Sequence, residues 1–436
     1  MHILFLSHYF PPEVNAPATR TYEHCRRWVA CGHRVTVITC APNCPAGVLF
    51  DGYRNAWRQE ESIDGIRVLR VWTYLAPNKG FLKRIMNYLS YLCSATLRAA
   101  TVRDVDVIVA TSPQFFCGWA GVLSAWLLRR PFVLEVRDIW PDSIVTLGAV
   151  KSGPAQRILE WLERRMYAAA RRIVTVGDGY RDRLLERGVS ADRIAVIPNG
   201  VDTTQFVPSP HFLSVGNRAK KPHKFVCAYI GTVGMAHGLE VVLRAAQKLK
   251  DAGRADLVFR VVGDGAERSH LQSQAKSLRL DNVEFTGLVP KSRMPEMIAE
   301  ADACLVHLKK AELFETVIPS KIFEIMAMNV PIIMGVGGQA RRIVLAPGGG
   351  IAMTPEDEDS LIAGIDAINS NRSAYRQGRR FVAEHFDRDV LARQMLDELI
   401  ALVDGSTASD SETPSTLRFP NIEIPVDRRE TERIAA

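Results

Sequence analysis

The chain has 436 residues, 47% hydrophobic and 24% charged, with a formal net charge of +7. That length exceeds one ordinary core and predicts two domains of about 200 residues each. Charges of both signs are interspersed, which speaks against a nucleic-acid groove, and no stretch reaches the roughly 18 apolar residues of a membrane-spanning helix.

The opening Met1-His-Ile-Leu-Phe-Leu-Ser7 lacks a basic start and a small-residue cleavage site, so it reads as a buried first strand rather than a signal peptide. The segment His8-Tyr-Phe-Pro-Pro-Glu-Val-Asn-Ala-Pro-Ala-Thr-Arg20 follows it. It is long and proline-rich for a strand-to-helix connection, suited to shaping a pocket, and it brings Asn15, Thr19 and Arg20 to the start of the next helix. Further all-apolar strands are expected at 33–39, 66–71, 106–110, 132–136, 173–176 and 194–197. Strands of this kind, separated by helical stretches, indicate an α/β domain with a parallel sheet covered on both faces.

Residues 79–103 carry Phe81, Leu82, Ile85, Met86, Tyr88 and Leu89, flanked by Lys79, Lys83, Arg84, Arg98 and Arg103. The segment fits an interfacial membrane contact or an ordinary core helix with solvated ends. Glu135-Val-Arg-Asp-Ile-Trp-Pro-Asp142 ends a strand and puts Arg137 and Asp138 at a cleft rim. An aspartate there can orient a hydroxyl or act as a base, or the two residues can form an ion pair that holds the loop. The eight cysteines include no CxxC pair and are read as reduced thiols rather than a zinc site at Cys40 and Cys44.

A turn at Pro198-Asn-Gly-Val-Asp202 leads into a polar linker at 206–224. The strand pattern restarts at 225–230 and continues near 258–262, 283–285, 303–307 and 331–334. Gly231-Thr-Val-Gly234 and His237 lie between a strand and a helix, where glycines let backbone N–H groups approach an anion, though a plain tight turn has the same composition. Val261-Val-Gly-Asp-Gly265 is a second such turn, with Gly263 and Gly265 permitting close approach of another backbone. Ile318-Pro-Ser-Lys-Ile-Phe-Glu324 opens an apolar helix whose first turn holds Lys321 and Glu324. A lysine there can meet phosphate charge and a glutamate can accept hydrogen bonds from sugar hydroxyls; the alternative is a surface salt bridge. A helical pattern from about 374 to 403 is expected to break near Asp387, and the tail from Gly405 to be disordered. The organisation is thus a doubly wound domain at 1–205, the linker, a second at 225–385, a helix at 386–404 packing back on the first, and a tail at 405–436. Two such sheets face each other across a cleft where ligands bind.

Taken together, HYFPPE…APATR, EVRDIWPDS, IPNGVD, YIGTVG…HGLE, VVGDGAE, VEFTGLVP and IPSKIFEIMAMNVP resemble, in order and spacing, the GT-B-fold glycosyltransferases of retaining family four. Within it they are similar to the bacterial O-antigen and capsule subgroup, which includes the fucosamine transferases. The resemblance covers about residues 1–400. It implies two Rossmann-like domains and a UDP-sugar donor held mainly by the second. By position, Glu324 resembles the ribose-binding glutamate, Lys321 the diphosphate partner, and Gly231, Thr232 and Gly234 the phosphate loop. His237 and Gly263 fall beside it, and Leu288 and Val289 fall where backbone atoms read the base. The first domain would bind the acceptor through Asn15, Thr19 and Arg20, with Arg137 and Asp138 near the reacting carbon.

Two departures bear on this. The family's frequent Glu-x7-Glu has Thr316 at its first position, with Glu315 one residue earlier as the sugar-contacting candidate. The loop after the first strand of the second domain carries only His237 as a basic side chain, so Lys321 must meet more of the diphosphate charge. The implied activity is transfer of a sugar, an N-acetylated or deoxy amino sugar among the candidates, from a UDP-sugar to a lipid-linked or oligosaccharide acceptor in surface polysaccharide synthesis. Retention of configuration, no cofactor and no metal are implied, with a cytoplasmic location or a peripheral one at the inner membrane face. The alternatives are a UDP-sugar 2-epimerase of the same fold and a degenerate nucleotide-sugar-binding protein.

Overall fold

The computed structural model describes residues 1–44, 46–76, 81–112, 114–138, 154–208 and 224–405. The first sheet contains β1 (His2–Leu6), β2 (Arg34–Cys40), β3 (Gln59–Ile63), β4 (Ile66–Val71), β5 (Val107–Thr111), β6 (Phe132–Val136), β7 (Arg172–Thr175) and β8 (Ile194–Val196), in the order β3-β4-β2-β1-β5-β6-β7-β8. β3 runs antiparallel to β4 and the other pairs are parallel. β1 and β5 are buried along their whole length, because helices cover both faces of the sheet. The antiparallel edge strand β3 is absent from the sequence expectation. Gln59-Glu-Glu-Ser-Ile has no apolar run, and it is held by a tight turn through Asp64 (φ 49°) and Gly65 (φ 78°).

The second sheet is all parallel, with β9 (Phe225–Ile230), β10 (Leu257–Val262), β11 (Val283–Gly287), β12 (Ala303–His307), β13 (Ile332–Gly335) and β14 (Gly350–Ala352) in the order β11-β10-β9-β12-β13-β14. β14 also goes unpredicted: three residues beginning with glycine carry no periodicity. In each sheet the strand order reverses beside the first strand, at β1/β5 and β9/β12. Open parallel sheets bind ligands at such switch points. The long loop after β1 and the glycine turn after β9 therefore occupy equivalent positions.

The chain crosses between domains twice, side by side. Val201 N donates to Phe386 O at 3.0 Å and Arg388 N to Val201 O at 3.0 Å. Val201 and Phe206 already bury their side chains with Phe323 and Phe386 in the second domain. Asp387 breaks the C-terminal helical stretch and caps the Arg388–Asp404 helix by accepting from Asp389 N. That helix lies on the first sheet. Leu391, Met395 and Leu399 pack with Ile3, Phe5 and Trp28, and Trp28 Nε1 donates to Ala392 O at 2.9 Å. Among the described residues no helix is long and apolar enough to cross a membrane. Most of the linker and the tail from 406 lie outside the described residues.

Candidate active site

The two glycine turns of the second domain pack backbone against backbone. Gly231 N donates to Val262 O and Val233 N to Asp264 O, both at 2.9 Å. A Cβ on Gly263 would sit 1.9 Å from Gly231 O, and one on Gly265 2.2 Å from Val233 O. Gly263 and Gly265 therefore allow one turn to buttress the other.

Lys321, the first residue of the Lys321–Ala327 helix, reaches into this corner. Its Nζ lies 4.2 Å from the centroid of the Tyr229 ring, and 2.5 Å from where a Cβ of Gly231 would be. The absence of a side chain at Gly231 makes room for the ammonium. Tyr229 is held in turn by donating its hydroxyl to Thr232 O at 2.6 Å. Burial pushes the Lys321 amine down to about 8, against the opposing pull of Glu324 and Cys304. It remains mostly protonated at neutral pH. His237 is pushed down to about 4 by burial and by the Lys321 charge, so the turn's own basic side chain is neutral. His307 accepts from Glu356 N through Nε2 at 2.8 Å, which leaves its Nδ1 to donate to His237 O at 2.7 Å.

Glu324 faces the interdomain cleft. A cavity of about 220 Å³ is lined there by Asn15, Thr19, Arg20 and Glu23 of the first domain, by Lys291 and Glu324 of the second, and by Arg388 of the returning helix. Burial raises the Glu324 carboxyl, while Arg388, Lys291 and Lys321 oppose the rise. Sequence reasoning missed Lys291 and Arg388. Lys291 follows the Gly287-Leu-Val-Pro turn it had singled out, whereas Arg388 arrives only through tertiary packing. Leu288 is 81% exposed and Val289 packs on the second domain's core.

The acceptor-side candidates divide. Asn15 and Thr19 both line the cavity, but the Asn15 side chain is engaged in capping its helix, accepting from Ala18 N at 2.9 Å. Arg20 is buried and its donors are taken: Glu135 Oε1 at 2.7 Å, Pro198 O at 2.6 Å and Ile197 O at 2.8 Å. Burial works against ionisation of Glu135, but Arg20, Arg137 and His24 bring its carboxyl to about 2.

Arg137 and Asp138 line a neighbouring cavity of about 280 Å³, with Pro17, Val176, Tyr180 and Asn199, closed from the second domain by Val317 and Ile318. Thr316 packs against Gly179, where a Cβ would come within 3.2 Å of it. Gln339 ties the domains together by accepting from Asp178 N at 2.8 Å and donating to Asp178 Oδ2 at 2.7 Å. Glu315 is exposed, and its stem lies against the Gly337-Gly338 turn. Among the described residues no group of three His, Cys, Asp or Glu side chains is placed to share a metal ion.

Comparison with known proteins matches residues 15–200 to the model of a glycosyl transferase 4-like domain and residues 215–382 to that of the glycosyl transferases group 1. Among curated relatives, a protein of Escherichia coli K12 named as a colanic acid biosynthesis glycosyl transferase, WcaI, is 26% identical over 92% of this chain and 100% of its own. The GDP-mannose-dependent alpha-mannosyltransferase of Mycolicibacterium smegmatis is 26% identical over 92% of this chain and 96% of its own. Among solved structures, Anabaena Alr3699/HepE in complex with UDP-glucose superposes with a TM-score of 0.66 at 17% identity, covering 92% of this chain and 100% of that one. The two family models together span most of the sequence, and the chain belongs to the GT-B glycosyltransferases, with a glycosyl transferase 4-like domain followed by a group 1 domain.

Proposed function

We propose that the protein transfers a hexosyl unit from a UDP-sugar to a lipid-linked or oligosaccharide acceptor in the assembly of a bacterial surface polysaccharide. The observation that carries this reading is the Lys321 ammonium, seated beside side-chain-free Gly231 at the switch point of the second sheet. A fixed cation beside a backbone turn suits a diphosphate, and with His237 neutral it supplies the positive charge of that corner. Gly231, Thr232 and Gly234 supply the turn, and Glu324 accepts from ribose hydroxyls. Glu315 and Thr316 stand nearest the transferred sugar, and Leu288 and Val289 flank the base. Lys291, Arg388 and Arg20 act by orienting Glu324 and the cleft walls.

In the reaction, an acceptor hydroxyl attacks the anomeric carbon and the bond from that carbon to the diphosphate oxygen breaks. Negative charge develops on the departing diphosphate, beside Lys321, where stabilising it lowers the barrier. The hydroxyl proton passes to a diphosphate oxygen. Asp138 orients the acceptor. Retention of configuration follows from the family resemblance, and the scheme needs no metal because Lys321 and backbone amides offset the charge. The relatives' names support a glycan product, and the HepE complex supports a UDP-sugar in this fold. The Phe81–Ala99 helix supports a membrane-borne acceptor on the cytoplasmic face: it buries Tyr91 and Ala95 and exposes Met86 and Leu89 near Lys83 and Arg84, with Leu97 exposed further along.

The test is a panel of UDP-sugars, scored first by thermal shift and then by turnover on a lipid-linked acceptor. Glu324→Ala is expected to reduce turnover strongly while the fold survives; turnover at the wild-type level removes Glu324 from the site. UDP-GlcNAc incubated alone distinguishes an epimerase, which would generate a second UDP-sugar. Calorimetry with UDP distinguishes a degenerate protein, which would not bind it.

A further inference from the structure

We propose that Arg137 is the subsite for an anionic group of the acceptor, a phosphoryl or carboxylate oxygen held on the first domain's side of the cleft. The inference rests on reading that domain as the acceptor side.

Arg137 leaves the C-terminal end of β6, and its backbone is pinned where N donates to Ser112 Oγ at 3.1 Å. The side chain lines the cavity together with Pro17, Asp138, Val176, Tyr180 and Asn199, so the anion's place is on the Arg137 side, away from the Asp138 carboxylate. Within it, the guanidinium Nε and Nη1 are buried and have no hydrogen-bond partner among the described residues. Burial pushes Arg137 down to about 10, with Glu135 and Tyr180 opposing, so the group is still a cation at neutral pH. Buried donors without partners are rare in folded proteins, and a charged one is costly. Glu135 balances part of this charge through space, but its hydrogen-bonded oxygen belongs to Arg20. A guanidinium presents a planar fork that matches carboxylate and phosphoryl oxygens. Among the described residues the cavity is walled mainly by the first domain, and the second contributes the apolar Val317 and Ile318. The donor's diphosphate already has Lys321, so the anion that completes Arg137 belongs to the other substrate.

The experiment saturates the protein with UDP, so that the Lys321 corner is filled, and titrates inorganic pyrophosphate and, separately, glucuronate. Wild type, Arg137→Met and Arg137→Lys are compared by calorimetry. At least one anion is expected to bind wild type about tenfold or more tightly than Arg137→Met, with Arg137→Lys between them. Pyrophosphate as that anion identifies a phosphoryl group such as a lipid carrier's; glucuronate identifies an acidic sugar. UDP affinity should stay within about twofold in both variants, which shows the donor reading intact whatever the anions do. Arg137 also helps keep the buried Glu135 ionised, so the ligand-free Arg137→Met protein should melt about 2–4 °C lower, with Arg137→Lys recovering most of that loss. The proposal is overturned if neither anion separates wild type from Arg137→Met, or if UDP affinity falls in parallel, which makes Arg137 a donor residue.

Discussion

Replacing Gly231 by alanine should evict the Lys321 ammonium from its seat without unfolding the second domain. The new Cβ would stand 2.5 Å from Lys321 Nζ, a distance that atoms do not sustain, and a tight 3.1 Å from its Cε. The obstructing atoms are the far end of a flexible side chain, so the lysine swings away at little cost to the fold. The backbone cost comes instead from φ of +144°, a region L-residues rarely adopt, at about 1–3 kcal/mol. The loss in binding is that of one charge-assisted hydrogen bond to the diphosphate, about 2–3 kcal/mol, or roughly 30- to 150-fold in UDP affinity. Lys321→Met should lose a similar factor by deleting the charge, and the double variant little more, because both remove the same contact. Calorimetric titration of the four proteins with UDP and with UMP reads this directly. UMP, lacking the second phosphate, should lose less. The reasoning is refuted if either single variant binds UDP within about threefold of wild type, or if UDP and UMP weaken equally.

The Lys321 amine near 8 predicts a pH dependence: affinity for a UDP-sugar, whose diphosphate stays ionised, is flat from pH 5.5 to 7 and falls above about 8. The sign follows because the ligand binds the protonated amine, which the free protein loses as pH rises through that value; affinity that rises with pH contradicts it. Gln339→Leu deletes both hydrogen bonds to Asp178 and should weaken domain closure by about 1–3 kcal/mol, seen as a larger radius of gyration in X-ray scattering. Trp28→Ala removes a fully buried ring and the bond to Ala392 O. It should cost about 3–5 kcal/mol in denaturant unfolding and expose the Arg388–Asp404 helix to protease.

The buried parallel strands were legible because helices on both faces demand near-continuous apolar runs, as in His2–Leu6 and Phe225–Ile230. β3 and β14 were not, since one is an edge strand of mainly polar residues and the other three residues long. A break near Asp387 was expected; that its side chain caps the Arg388–Asp404 helix, and that Leu391, Met395 and Leu399 pack with Ile3 and Phe5, is seen only in the fold. In the site, Lys321 and the Gly231 turn could be singled out separately, but that one makes room for the other depends on the register between β9 and a helix some ninety residues later. Arg20 shows the opposite case. Its place at the cleft was expected, yet each of its three guanidinium nitrogens donates to Glu135 or a carbonyl, which only the fold reveals. Gly263, expected to permit close approach of another backbone, lies against the Gly231 backbone, but which backbone it would meet only the fold reveals. The expectations for the tail and for Ile139 onward in the EVRDIWPDS loop fall outside the described residues.

The central claim, a sugar moved from a UDP-linked donor, is tested most directly by mass spectrometry of a lipid-linked acceptor incubated with the protein and matched UDP- and GDP-sugars. The account predicts that the acceptor gains the mass of one sugar from a UDP-sugar, with UDP released in equal amount. Transfer from GDP-sugars alone, or conversion of the UDP-sugar with no gain in acceptor mass, would contradict it.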